Sequence, residues 1–191
     1  MSSARRTRLT CPDPLPRTWR LTRTGVEARF VKASLSYVRA VEARWSEYGR
    51  LVEWSWPRVY ADAAHCVYAL VEVGSLDPDA AVALFALWPK ELKLQNTKAT
   101  RLDFFELDPT RRGGVQGTLA FAAFTRLSAD FGRAAIVLGA LDVDKARAWY
   151  LVRGGTLGVA GWKVPRGLTP IGFSGAKLTA LVEDADAIEK T

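Results

Sequence analysis

Residues 106–121, ELDPTRRGGVQGTLAF, set Arg111, Arg112, Gly113, Gly114 and Gly117 between an apolar run ended by Asp108-Pro109 and a segment of helical pattern. A glycine-rich turn feeding a helix leaves the first N–H groups of that helix without partners. Those amides, the positive end of the helix dipole and the two arginines would hold an anion such as a phosphate, and glycine lets the backbone approach it closely. The plainer alternative is a tight turn with solvated arginines. The stretch lacks the Gly-Lys-Ser/Thr of a P-loop and the glycine spacing of a dinucleotide-binding turn. Just upstream, RLDFFELDP carries Asp103 and Glu106, which a period of two turns to opposite faces of a strand. That period gives Asp103 the face of Phe105 and Leu107. The single histidine, His65, reads first as an interior or strand-edge residue and second as a base.

The elements that must position these residues follow from periodicity. TWRLTRTG, residues 18–25, alternates weakly and reads as a first strand. Over residues 26–45, Phe30, Val31, Leu35, Val38 and Val41 recur at helical spacing and predict one long amphipathic helix or two shorter ones. Residues 65–74, 80–89 and 98–109 are apolar runs each ended by Gly or Pro, which predicts consecutive antiparallel strands. Leu119, Ala123, Phe124, Leu127 and Phe131 share a face of a helix stopped by Gly132. AAIVLGAL predicts a buried strand, and DVDKARAWYLVRGG a helix stopped by Gly154-Gly155. LGVAGWKVP and LTPIGFSG predict two closing strands, and KLTALVEDADAIEKT a C-terminal helix or a polar tail. The order implies an α/β or α+β domain with a mixed, largely antiparallel central sheet flanked by helices. The strand–helix–strand unit over 100–140 needs a crossover, which makes its two strands parallel.

The pattern LDPTRRGGVQG is similar to motif A of the GNAT superfamily, the acetyl-CoA-dependent N-acyltransferases. That motif runs apolar-x-Pro, then Arg/Gln-x-x-Gly-x-Gly/Ala, then a helix. Counted from Pro109, Arg112 takes the Arg/Gln place and Gly117 the last Gly/Ala, while Val115 stands where the family usually has glycine. KARAWYLVRGG is similar to the family's motif B: Ala146, Tyr150 and Gly154 fall on its Ala, Tyr and Gly, with Val143 in the place of its Asn and Gly155 in that of its Phe. AAIVLGAL lies between the two motifs, as the family's fifth strand does. The resemblance spans roughly residues 65–155, and the first 60 residues match it only loosely.

The resemblance implies transfer of an acetyl group from acetyl-CoA, as co-substrate, to a primary amine by direct attack, with no metal. It places the pyrophosphate of coenzyme A on the backbone amides of Arg112, Gly113, Gly114, Val115, Gln116, Gly117 and Thr118. It puts the amide of Leu107 on the acetyl carbonyl, where such a donor stabilises the tetrahedral intermediate. Tyr150 is in register for the acid that protonates the leaving thiolate. Asp103 and Glu106 are the candidate bases, with Glu72 or a water relay as further options. The acceptor is open: a small amine, a peptide N-terminus, a lysine or an amine carried by tRNA or DNA. In the rival reading the fold is kept as a CoA-binding or regulatory module without catalysis. Both a monomer and a homodimer fit.

Composition frames these readings. At 49% hydrophobic and 25% charged residues over 191 positions, the chain is long enough to bury a core without staples. The net charge of +7 is concentrated in residues 1–23, where Arg5, Arg6, Arg8, Arg17, Arg20 and Arg23 oppose only Asp13. That Pro-containing stretch reads as a basic N-terminal arm preceding a single domain over 24–191. It is either a solvated tail or a contact for nucleic acid or another polyanion. Trp45, Trp54 and Trp56 are core or loop anchors, or an aromatic wall for an acceptor or a base. Cys11 and Cys66 lie far apart without metal or disulfide spacing, which points to a reducing cytoplasm. No apolar run is long enough to span a membrane.

Overall fold

The computed structural model describes residues 11–21, 25–46, 65–88, 92–94, 96–112, 115–159, 164 and 166–190. Among them, one sheet contains β1 (Trp19–Arg20), β2 (Glu27–Lys32), β3 (Cys66–Glu72), β4 (Ala81–Leu87), β5 (Leu92–Leu94), β6 (Thr97–Leu107), β7 (Ala135–Leu141), β8 (Thr156–Leu157) and β9 (Leu168–Ser174). Its order is β1-β2-β3-β4-β6-β7-β9-β8, with β5 paired to β6. Four helices accompany it: α1 (Leu35–Ser46), α2 (Gln116–Asp130), α3 (Asp144–Leu151) and α4 (Gly175–Ile188). Only β6 and β7 are parallel, as the crossover through α2 requires. The mixed, largely antiparallel sheet flanked by helices is the architecture the sequence implies.

The two faces of the sheet bury unequal cores. One face joins Trp19, Phe30, Tyr68, Phe85 and Phe173 to Phe121 and Phe124 of α2 and Leu178 and Leu181 of α4. The other packs Val67, Ala69, Val71, Leu84 and Ala86 against Val38, Val41 and Trp45 of α1. β4, AVALFAL, is buried along its whole length because both faces are covered, which is why it reads as a continuous apolar run. α2 lies between the sheet and α4, so its burial goes nearly all round. Its two buried hydroxyls are satisfied: Thr125 donates to the Ala122 carbonyl, and Ser128 bonds Thr100 of β6 at 2.6 Å.

Several expectations need correction. Residues 26–45 are not helical throughout: β2 precedes α1. Glu27–Lys32 alternates in burial and pairs with β3 over Ala28–Lys32, so Phe30 and Val31 belong to a strand. The break is marked by Ser34, whose hydroxyl accepts from the Tyr37 amide at 3.2 Å and caps α1. β5 was not expected, being only three residues long. The strand expected over 157–165 is the short β8, whose pairing ends at Leu157; part of that span lies outside the described residues, as do Trp54 and Trp56. Trp45 is core.

The N-terminal arm and the cysteines are also corrected. Residues 1–10 lie outside the described residues, as does Arg23. Residues 11–21, however, are part of the domain. Trp19 and Leu21 are buried, and the Tyr68 hydroxyl donates to the Pro12 carbonyl at 2.6 Å. Arg17 bridges Asp130 of α2 at 2.8 Å and Glu189 at 2.7 Å. Cys11 and Cys66, 55 residues apart in sequence, form a disulfide with their Cα atoms 5.4 Å apart. Separation along a chain sets no lower bound on separation in the fold, so the inference of a reducing setting from their distance loses its premise. None of the described helices is long and apolar enough to cross a membrane.

Candidate functional site

β6 ends at Leu107, and Asp108 turns the chain. Its buried carboxylate accepts from the Thr110 amide at 2.9 Å and from the Thr110 hydroxyl, shaping the short 3-10 turn Pro109–Arg111. The chain then enters α2. In its first turn the Leu119 N–H reaches back to the Val115 carbonyl at 3.1 Å. The amides of Gln116, Gly117 and Thr118 precede it, Val115 offers no side-chain cap, and Val115 is 64% exposed. A helix tip of this kind presents N–H groups and positive potential to solvent. Val115, in the place of a glycine, directs its side chain outward. Gly113 and Gly114 lie outside the described residues.

The two arginines of the turn are engaged elsewhere. Arg111 pairs with Glu72 of β3 and lies 3.4 Å from Asp108, and Arg112 pairs with Glu106 of β6. Their charges neutralise strand carboxylates and splint the turn to the sheet. The attraction for an anion at the tip of α2 thus rests on backbone amides more than on these side chains.

A wedge opens beside β6. The β6–β7 ladder runs from Ala99–Ala135 to Leu102–Leu138 and stops, although β6 stays paired with β4 to Leu107 and β7 stays paired with β9 to Leu141. The divergence starts at an irregularity: Ala86 pairs with Phe104 and Leu87 with Leu102, which leaves Asp103 as an extra residue on β6. The Asp108 N–H bonds the Val82 carbonyl on the β4 side. By alternation, the peptide groups of Leu107 and Phe105 face the wedge.

Aromatic side chains wall the wedge on the α2 side. Phe105 lies 6.0 Å from Trp149 of α3, and Phe121 lies within 6 Å of Phe105, Trp149, Tyr150 and Phe173. Gly117 fits between Leu107 and Trp149. Tyr150 is packed edge-on against Phe121 and Trp149, and burial pushes its phenol pKa well above 10. α3 ends at Leu151, and Gly154, with a φ of 90° that suits glycine, lies in the turn that follows. At Gly155 a side chain would meet Ile171 at 2.8 Å and the Tyr150 carbonyl at 3.0 Å, so the phenylalanine usual there in the similar motif has no room.

Two further groups stand at the site: one that sequence reasoning did not single out, and His65, which it read first as an interior or strand-edge residue and second as a base. Arg153 lies 3.8 Å over the Trp149 ring and donates to Thr118 in the first turn of α2 and to the Trp149 carbonyl. No carboxylate among the described residues is within ion-pair distance of it, and burial lowers its pKa. Its only sequence signal is a basic residue at the C-terminal end of a helix. The second group is His65. Its Nε2 lies 2.6 Å from Asp103 Oδ2, while Arg101 Nε donates to Asp103 Oδ1 at 2.6 Å. Trp88 stacks edge-on to His65 at 5.2 Å and under Arg101 at 4.8 Å. The structure thus brings Leu107, Gln116, Gly117 and Thr118 to the tip, Tyr150 to the adjacent wall and Asp103 to the apex of the wedge. Glu106 is held by Arg112 instead of standing free. The expected face of Asp103, shared with Phe105 and Leu107, is corrected, because the irregularity at residue 103 breaks the period of two.

No family model matches the chain, and no curated protein matches it in sequence. Solved structures do match. An acetyltransferase of the GNAT family from Listeria monocytogenes is 14% identical, with 80% of this chain and 97% of that one covered, at a TM-score of 0.53. A PaiA N-acetyltransferase from Thermoplasma acidophilum, solved with coenzyme A, is 10% identical, with 78% and 99% covered, at a TM-score of 0.50. The fold is that of the GNAT acetyltransferases.

Proposed function

We propose that this GNAT fold serves acetyl transfer from acetyl-CoA to a primary amine. The observation that carries the proposal is the pairing of a wedge between β6 and β7 with an uncapped α2 tip at its mouth. In this reading the diphosphate of acetyl-CoA rests on the amides of Val115, Gln116, Gly117 and Thr118, joined by those of Arg112, Gly113 and Gly114. The pantetheine arm enters the wedge along β6, and the Leu107 amide donates to the acetyl oxygen. That donor acts where charge develops as the amine adds to the carbonyl. Tyr150 donates to the sulfur as the C–S bond breaks. Of the two strand carboxylates, Asp103 lies at the apex of the wedge, beside His65, while Glu106 is neutralised by Arg112; which group takes the proton of the amine is left open. Arg153, beside Thr118 and without a carboxylate partner among the described residues, suits a phosphate oxygen of the same cofactor.

Titration of the purified protein with acetyl-CoA, followed by thiol release with a panel of amines, tests this reading. Micromolar binding and turnover on at least one amine are expected. Binding without turnover would favour a CoA-binding module, and absence of binding would remove the proposal. Arg153→Met is expected to weaken CoA binding at least tenfold, the scale of one or two charge-assisted hydrogen bonds. Pantetheine, which lacks the phosphates, should bind both proteins equally. An unchanged CoA affinity in the variant would show that Arg153 only packs on Trp149.

A further inference from the structure

We infer that His65 accepts the proton of the attacking amine and that Asp103 is its positioning residue. The inference rests on the acetyl-transfer reading and assigns the base that reading leaves open. The His65 side chain is 10% exposed and that of Asp103 13%. A carboxylate only accepts hydrogen bonds, so Asp103 Oδ2 at 2.6 Å requires the hydrogen of a neutral imidazole to sit on Nε2. The lone pair then sits on Nδ1, which is buried and has no hydrogen-bond partner among the described residues. Buried polar atoms are rarely left unpaired, because an unmade bond costs about 1–3 kcal/mol. The partner that Nδ1 lacks is therefore a donor, and an N–H of an acceptor amine supplies one.

The placement agrees with this role. Asp103 is the extra residue of β6, immediately past Leu102, where the β6–β7 ladder ends. His65 is anchored to that apex through Asp103, and its ring is fixed from another side by Trp88 of the segment following β4. Arg101 holds the second oxygen of Asp103, so the carboxylate cannot swing from the imidazole to the substrate without breaking an ion pair. In the reaction the amine nitrogen bonds to the acetyl carbon while its proton passes to His65 Nδ1. The imidazolium so formed is paired with Asp103. The C–S bond then breaks, and the proton passes from His65 to the leaving sulfur, directly or relayed through a water, giving an amide, a thiol and the neutral ring. The arrangement does the work of a base oriented by a carboxylate.

Because the chain has one histidine, the imidazole signals in a nitrogen-15 NMR spectrum belong to His65 alone. The expected spectrum shows a protonated Nε2 and an unprotonated Nδ1, and the ring signals shift when acetyl-CoA is added to saturation. Asp103→Asn is expected to move the hydrogen to Nδ1, because the amide can donate to Nε2. His65→Gln should keep acetyl-CoA affinity within about threefold and lose at least 100-fold in turnover on the amine that the native protein uses, the usual scale of a general base. Imidazole should restore part of the turnover of His65→Ala. Acetyl-CoA binding with an unmoved His65 signal, or a His65→Gln protein with native turnover, overturns the inference and leaves the transfer reading intact. Failure to bind acetyl-CoA at all overturns both.

Discussion

Tyr150→Phe is expected to lower turnover by about 100-fold while leaving acetyl-CoA affinity nearly unchanged, measured by steady-state kinetics beside calorimetric titration. The ring provides the packing: it meets Phe121, Trp149 and Phe173, and phenylalanine keeps all three contacts. Only the hydroxyl is lost. A positioned proton donor contributes about 10²–10⁴-fold, and Tyr150 belongs at the low end. Its pKa is raised by burial, with Arg153 opposing more weakly, so full transfer to a thiolate of ordinary pKa near 8.5 runs uphill. What the phenol offers is a hydrogen bond to developing negative charge on sulfur. The same shift fixes the pH behaviour. A phenol whose folded pKa exceeds its unfolded value of about 10 stabilises the fold fully below pH 10. That contribution fades as pH rises from there toward the folded value. Activity should therefore show no loss from Tyr150 ionisation below about pH 10, and alkaline unfolding should occur at higher pH in Tyr150→Phe than in the native chain. Equal loss of turnover and affinity in the variant would mean that the hydroxyl serves structure instead of chemistry.

The second large effect concerns the Cys11–Cys66 bond. It closes a 55-residue interval, for which the chain-entropy estimate is about 4 kcal/mol. Reduction would also release the strap formed by residues 11–18, held by Tyr68 on Pro12 and by Lys32 on the Cys11 carbonyl at 2.8 Å. A fall of 2–4 kcal/mol in unfolding free energy is expected, read from denaturant melts with and without a phosphine reductant. The Cys11→Ala/Cys66→Ala protein should melt like the reduced native chain and ignore the reductant. Alanine is preferable to serine at position 66, because a hydroxyl there would be buried beside Leu87 and Leu102. A native melt indifferent to reductant would show that the strap holds without the bond.

Much of this architecture is legible in the order of residues. β3, β4, β6 and α2 declare themselves because apolar runs end at Gly74, Pro89, Pro109 and Gly132, each terminator acting locally, and β7 because it is a short, wholly apolar run. β2 hides because Phe30, Val31, Leu35, Val38 and Val41 imitate one helical stripe across a strand–helix junction. Ser34, set three residues before Tyr37, is the capping signal that separates them. The tip of α2 is legible for the same local reason as its glycines. What surrounds the tip is not. Arg111 meets Glu72 and Arg112 meets Glu106 only once strands have paired. Asp103 meets His65 only because an irregularity in the β4–β6 ladder adds one residue to β6 at that point. A single extra residue reverses every side chain beyond it, and periodicity alone carries no notice of that.

The bridge from Arg17 to Glu189 spans 172 residues of chain. It is reinforced where the Lys190 amide meets the Thr18 carbonyl and where Trp19 forms a bridge with Glu189. Neither partner can find the other until α4 has been synthesised and docked on α2, and a loop of that length closes at high entropic cost. The seam is thus a late event in folding and an early one in opening. Amide hydrogens around Thr18 and Lys190 should exchange well before those of β4, and shortening the chain by its final helix would loosen its first strand.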